Sequence, residues 1–472
     1  MGELPLVEEL TPPPEIPVAL QAFAGWPSLV LLDSALATAH LGRYSFLTAD
    51  PVSFTSINRP EFGTDPFANL KRSLERVKTP RVTGLPPFQG GAAGLLSYEL
   101  GGAWEHVCPA ADDGQRIPAL AVGLYDWVLA WDHLQGRAWI ISQGLPETEP
   151  ASRLRRAAKR LKEVRHRLGA PHAPTPTAAS SARPEGRAVP GIAHHPLAGR
   201  PGLVSNFSRT GYLAAVARAI EYIRAGDIFQ VNLSQQLCLP LECPPVALYL
   251  KLRQRNPAPF GGFFAHDDWV VASSSPERFV QLHAGEVETR PIKGTRQRRS
   301  GPEADLFTRD ELRQSEKDQA ENVMIVDLLR NDLSRVCLPG TVRVPELCRV
   351  ESYATVQHLV SVVQGRLRPE MSAWDLFSAV FPGGSITGAP KVRAMQIIAE
   401  LETTQRGPYC GSLFYVSLDG TADSNILIRT ICLRNGCAVF PVGGGIVAQS
   451  NTADAYTETL HKAAGVLRAF KP

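Results

Sequence analysis

Tyr409-Cys410-Gly411-Ser412-Leu413-Phe414-Tyr415-Val416-Ser417-Leu418 runs directly into Asp419-Gly420, and two more apolar, β-rich runs follow at 425–433 and 438–442. Asn435-Gly436 separates that second pair. Asp-Gly and Asn-Gly accept the left-handed backbone of tight hairpin turns. The stretch therefore predicts a meander of antiparallel strands. Working outward, residues 228–237, 269–273, 279–283 and 287–290 predict further strands. Helices are expected over 208–225, with Ser208 as N-cap, over 311–333 and over 454–470. Strands in runs flanked by helices, without βαβ alternation, predict an α+β fold with layered, central antiparallel sheets.

Three regions follow from composition. Residues 1–165 read as a smaller α/β region, with strands near 29–32 and 121–124 and helices near 66–78 and 151–167. Residues 166–207 are rich in Pro, Ala, Ser, Gly and His. They read as a linker or insertion with too little apolar surface to offset ordering entropy. Residues 208–472 carry the dense pattern of a second, larger domain.

The chain has 472 residues, a formal charge of +3, 44% hydrophobic and 20% charged residues. Such a balance is ordinary for a soluble globular protein and implies neither nucleic acid nor membrane as partner. The apolar run 29–41 is interrupted by Asp33 and His40 and is too short to span a bilayer. Eight cysteines are scattered without a Cys-x-x-Cys pair. They read as reduced thiols of a cytoplasmic protein.

Several polar residues are candidates for chemistry. Lys293 lies in Pro291-Ile292-Lys293-Gly294-Thr295-Arg296, and Glu277 in Ser275-Pro276-Glu277-Arg278. A carboxyl held neutral could donate a proton, although Ser-Pro-Glu also begins helices. An amine with a lowered pKa, through burial or a cation such as Arg296, could act as nucleophile; a solvated turn lysine would be idle. Asp318 and Glu321, three apart, share a helix face, and Glu458 precedes Lys462 by four. Carboxylates from separate helices suit Mg²⁺, while Glu458 and Lys462 alone also read as a surface pair. Arg429 in an apolar run is either a buried salt bridge or a fork for a carboxylate. Gly443-Gly444-Gly445 offers N–H groups for an anion nest. The segment Gly383 to Lys391 has the glycine gap of a phosphate loop, but Ala389 and Pro390 replace its Lys and Ser/Thr.

In combination, these motifs over residues 208–470 resemble those of the chorismate-utilising enzymes. The resemblance implies that Glu321 and Glu458, with Asp318 beside them, hold Mg²⁺ against the ring carboxylate of chorismate. It implies Glu277 as general acid for the departing 4-hydroxyl, and Lys293 as the nucleophile that adds to C2. Ammonia then enters at C4, expels the lysine and leaves 4-amino-4-deoxychorismate. The lysine marks the aminodeoxychorismate synthase branch, on the p-aminobenzoate and folate path; the anthranilate synthase branch usually has a small residue there. Gln230 stands where water-adding relatives have a lysine base, which favours ammonia. Arg429 and Tyr409 match residues that hold the enolpyruvyl carboxylate, and His358 matches an active-site histidine. Thr387, Gly388, Lys462 and the triple glycine are further substrate contacts by the same resemblance. Asp33, Ser34, Arg43 and Tyr44 fall in the region that forms a tryptophan pocket in relatives, which usually have Glu at the position of Asp33. No cysteine lies in a Gly-x-Cys-x-Gly elbow, so a separate glutaminase subunit is the expected ammonia source. Anthranilate synthase component I and a non-catalytic chorismate-binding regulatory subunit remain as rivals.

Overall fold

The computed structural model describes residues 4–36, 41–111, 114–170, 193–298, 301–352 and 356–471. Among these, the strands form two sheets, one of thirteen strands and one of ten. The pairs that build both sheets are antiparallel. Helices flank them, so the α+β expectation holds, with the layered architecture it implied.

The division near residues 165–208 is a division of the chain and not of the sheets. In the larger sheet, Leu29–Asp33 pairs with Phe260–His266. In the smaller, Gly91–Leu96 pairs with Ser412–Ser417. The cores are shared as well. Leu31 and Trp127 pack in one cluster with Leu237, Phe263 and Phe440. Each such side chain contributes about 1.5–3 kcal/mol when fully buried, so the two regions stabilise one another.

Ser208 caps the helix Arg209–Arg224, its hydroxyl accepting from the Gly211 N–H at 3.0 Å. The expected linker is only partly described. The helix Pro150–Gly169 runs into it, and His195–Pro196 pairs with Val204–Ser205, which extends the larger sheet from Gln230–Pro240. Leu197, Leu203 and Phe207 are buried there, and their burial supplies the apolar surface that the composition average hid. Residues 171–192 of the linker, like 37–40 of the apolar run, lie outside the described residues.

Two expected elements are broken, and both breaks serve the site. The helix over 311–333 is two helices, Pro302–Gln314 and Glu316–Ser334. Ser315 has extended backbone and caps the second, accepting from the Asp318 N–H at 3.3 Å. The strand over 425–433 is also two, Ala422–Asn425 in the smaller sheet and Thr430–Arg434 in the larger. Between them the chain changes sheets, and Arg429 takes φ +52°. The meander is therefore split between two layers. Its turns are as expected, with Asn435 and Gly436 at φ +53° and +74°.

Candidate active site

A second crossing lies beside the first. Trp269–Ser275 belongs to the larger sheet and Arg278–His283 to the smaller, with Pro276 and Glu277 between. The crossings are tied together. The Ile426 N–H donates to the Glu277 carbonyl at 3.0 Å, and Ser275 Oγ donates to the Ile426 carbonyl at 2.6 Å. Glu277 and Arg429 are thus delivered to one region by strands that leave their sheets.

Glu277 is buried, and Ser385 Oγ donates to its Oε1 at 3.0 Å. Burial pushes its carboxyl up to about 7, against the opposing influence of Lys293, the Ser385 hydroxyl, the Ile292 N–H and Lys462. Near neutral pH this carboxyl can hold a proton and release it, as a general acid requires.

Lys293 lies on the strand Ile292–Gln297, paired with Val356–Arg366. The register shifts between Lys293 and Thr295, and Gly294, at φ +68°, is the extra residue of a bulge. A Cβ at Gly294 would stand 2.8 Å from Leu312 Cδ1 and 3.0 Å from Asp318 Cγ, so glycine is required. Lys293 Nζ donates to the Ser385 carbonyl at 3.0 Å. Desolvation lowers its pKa most, Glu321 and Glu277 oppose this, and Lys462 adds to the lowering. The expected assistance from Arg296 is not found. Its guanidinium faces Glu311 at 3.0 Å and Asp318 at 3.1 Å, which cancel its charge locally.

Asp318, expected in the carboxylate set, is paired with Arg296 here. Among the described residues no group of three or more His, Cys, Asp or Glu side chains is disposed to hold a metal. Glu321 and Glu458 do converge, from the helices Glu316–Ser334 and Thr452–Leu467. The strand beneath them is the triple glycine, and it is no nest. Gly443, Gly444 and Gly445 sit inside the extended strand Cys437–Ile446, opposite Ser234, Leu233 and Asn232, and none has positive φ. Its value is the missing side chains. A Cβ on Gly444 would stand 3.1 Å from Glu458 Oε1, and one on Gly445 would stand 2.5 Å from Gln230 Nε2 and 3.9 Å from Glu321 Oε2. Two carboxylates over a bare backbone, with positions left for water and an anionic ligand, fit a hard divalent cation.

Lys462 Nζ pairs with Glu458 at 2.8 Å and donates to the Gly443 carbonyl at 2.8 Å. Gln230 is buried, and its Oε1 has no partner among the described residues. The guanidinium of Arg429 has burial as the sole influence on its pKa, which it lowers; no carboxylate answers it among the described residues. The salt-bridge reading of Arg429 therefore fails, and an unpartnered, largely buried cation asks for an anion. His358 is pushed down to about 4 by burial and by Arg429, against the Gly294 backbone, so its ring is neutral.

Other expected contacts serve the frame. Thr387 Oγ1 donates back to the Gly383 carbonyl at 3.0 Å. Gly388, at φ +150°, lets its turn pair with Gln230–Pro240; a Cβ would stand 2.1 Å from the Gln230 carbonyl. Tyr409 is buried in the core near Arg406. Sequence reading missed Ser385 and Arg406. Arg406 is buried, holds Glu402 at 2.7 Å, and donates to the carbonyls of Ile386 and Asn232 at 3.0 and 2.7 Å. No spacing rule marks either, although Ser385 lies two residues from Thr387.

The four N-terminal residues come together elsewhere. Asp33, Ser34, Arg43 and Tyr44 line a separate cavity of about 410 Å³. Asp33 accepts from Arg253 Nε at 2.7 Å and Tyr249 Oη at 2.8 Å, and Arg43 pairs with Asp132 at 2.7 Å.

Residues 37–468 match the chorismate binding enzyme family. The chain is 39% identical to aminodeoxychorismate synthase component 1 of Klebsiella aerogenes over 457 residues, 94% of each chain. It is 40% identical to anthranilate synthase component 1 of Streptomyces coelicolor over 448 residues, 93% of this chain and 83% of that one. Among solved structures, anthranilate synthase component I of Streptococcus pneumoniae superposes with a TM-score of 0.74 at 30% identity, covering 91% of this chain and 93% of that one. The menaquinone-specific isochorismate synthase of Escherichia coli shares the fold, with a TM-score of 0.73 at 18% identity, over 100% of this chain and 96% of that one. The chain belongs to the family of chorismate binding enzymes. Its similar relatives carry two names, aminodeoxychorismate synthase component 1 and anthranilate synthase component 1. Among the described residues no helix is long and apolar enough to cross a membrane.

Proposed function

We propose that the chain is the chorismate-aminating subunit of an aminodeoxychorismate synthase, acting in p-aminobenzoate and folate biosynthesis with a separate glutaminase subunit as its ammonia source. One observation carries the reading. Lys293 and Glu277, an amine with lowered pKa and a carboxyl raised to about 7, meet the same residue, Ser385, from two sides. The neutral amine forms a bond to C2 of chorismate, both conjugated ring double bonds shift toward C4, and the 4-hydroxyl leaves as water with the Glu277 proton. Ammonia then bonds to C4, both double bonds shift back, and the lysine nitrogen departs as a neutral amine. Arg429 binds the enolpyruvyl carboxylate, and neutral His358 lies beside it without competing for that anion. Gln230, which cannot deprotonate water, leaves the second nucleophile to be ammonia.

Glu321 and Glu458 would hold Mg²⁺, which supplies charge to fix and polarise a substrate carboxylate. The test is product identity from chorismate, Mg²⁺ and ammonium. The expected product is 4-amino-4-deoxychorismate; anthranilate would instead support the second reading, which the 40% identity to an anthranilate synthase component keeps in view. Glutamine should replace ammonium only when a glutaminase subunit is added.

A further inference from the structure

Ser385 lies in the turn Gly384–Ile386 and is 8% exposed. Its carbonyl accepts from Lys293 Nζ and its hydroxyl donates to Glu277 Oε1, both at 3.0 Å. Among the described residues no ion pair joins Lys293 to Glu277 directly; Ser385 is the bridge. The turn is fixed on both flanks. At Gly384 a Cβ would stand 2.2 Å from Leu328 Cδ2, so the backbone lies hard against the helix Glu316–Ser334. On the other side Arg406 grips the Ile386 carbonyl, and Glu402 grips Arg406. The serine is therefore held independently of the two groups it touches.

The displacement proposed above separates charge. A neutral amine and a neutral carboxyl enter; an alkylammonium nitrogen, a carboxylate and one water leave the step, so atoms and charge balance. The Ser385 carbonyl accepts an N–H from the nitrogen that becomes positive. The Ser385 O–H donates to the carboxyl that becomes negative. Hydrogen bonds to ionised groups are roughly twice as strong as neutral ones, so both strengthen as the bonds change. We propose that Ser385 is a positioning residue that sets the spacing of Lys293 and Glu277 and steadies the charge that each acquires. This rests on the roles given above to Lys293 and Glu277.

The test follows chorismate consumption by the full chain with Mg²⁺ and ammonium, a readout indifferent to which isomer forms. Ser385→Ala keeps the carbonyl and removes the O–H. It should lower kcat about 10–100-fold with the chorismate KM within about twofold, the size expected for one hydrogen bond to a charged group. The limb of the kcat/KM profile near pH 7 should move to higher pH, because the lost donor favoured the carboxylate. The other groups that act on Glu277, namely Lys293, Lys462 and the Ile292 N–H, are untouched. Ser385→Thr should restore the limb and part of the rate, and Ser385→Cys, with its weaker donor, should fall between. A loss carried by KM alone, or an unmoved limb, overturns the proposal.

A second measurement needs no turnover. The infrared band of the protonated Glu277 carboxyl, assigned by its absence in Glu277→Gln, should persist to higher pH in Ser385→Ala or Ser385→Cys, whichever folds. Wild-type enzyme that consumes no chorismate would sink the roles of Lys293 and Glu277. An unchanged infrared titration sinks the role of Ser385 by itself.

Discussion

Arg429 and Arg253 are both arginines drawn largely below the surface, and they differ in what answers them. Arg253, beside the 410 Å³ cavity, meets Asp33, and Asp33 also takes the Tyr249 hydroxyl. The cavity wall continues in the same manner, with Arg43 on Asp132 and Arg278 on Asp423 at 3.1 Å. Around the sheet crossings the accounts stay open. Among the described residues Arg429 faces no carboxylate and Gln230 Oε1 has no donor, and Glu277 and Lys293 carry pKa values moved toward each other by burial. Closed networks rigidify a structure; open ones are poised for a ligand that completes them.

This contrast can be broken at several points. The largest effect is expected from Glu277→Gln, which should lower kcat by about 10²–10⁴-fold while chorismate still binds, measured by steady-state kinetics and calorimetry. Turnover at the wild-type rate would take Glu277 out of the mechanism. On the closed side, Asp33→Ala should cost about 3 kcal/mol of stability, because it leaves the half-buried Arg253 and the buried Tyr249 hydroxyl without their shared partner. Its chorismate KM should stay near that of the wild type, and a denaturant titration beside a KM measurement separates the two effects.

The acid of the open site should also be visible in stability against pH. Folding raises the Glu277 pKa from its ordinary value near 4.5 to about 7, so the native state binds this proton more tightly than the unfolded chain. The native state carries no penalty below about pH 4.5, and the stability is lost as pH rises through 7. At about 1.4 kcal/mol per pKa unit the full cost is on the order of 3 kcal/mol. The Tm advantage of Glu277→Gln over wild type should therefore grow from pH 5 to pH 8, and a constant difference would refute the shift.

Smaller again, Arg429→Met should raise the chorismate KM by the equivalent of about 1.5–3 kcal/mol and leave the Tm unchanged or higher, the reverse of Asp33→Ala. A fall in Tm would mean that Arg429 has a structural partner after all. The smallest change is expected at the half-exposed Lys462–Glu458 pair, where Lys462→Met should shift stability by only a few tenths of a kcal/mol in thermal melts.

Local chemistry carried much of the reading. Ser208 caps its helix because a hydroxyl before an apolar run can satisfy a free N–H, and Asn435-Gly436 turns because both residues tolerate positive φ. Lys293, Glu277, Glu321 and Glu458 were visible as chemical types within a familiar set of motifs, and the fold brings them to one place. Other features were illegible for a physical reason. Nothing in the apolar pattern at 425–433 says that the strand changes sheets, since either sheet offers the same pairing to its backbone. Ser315 looks like any serine within a helical period until the packing of two helices asks for a cap there. The triple glycine suggested a nest because glycine permits one, yet the strand needed absence of side chains instead.

Residue identity and short-range periodicity were enough to establish the α+β class, the turns, the helix starts and the cast of reactive groups, because those depend on side-chain chemistry and on neighbours a few positions away. Which of those groups would be left unpaired, which would be neutralised, and that Ser385 would stand between the amine and the acid were decided by contacts across 108 positions of chain and more. Burial and partnership are properties of the packed whole, and they set the pKa values on which the chemistry turns.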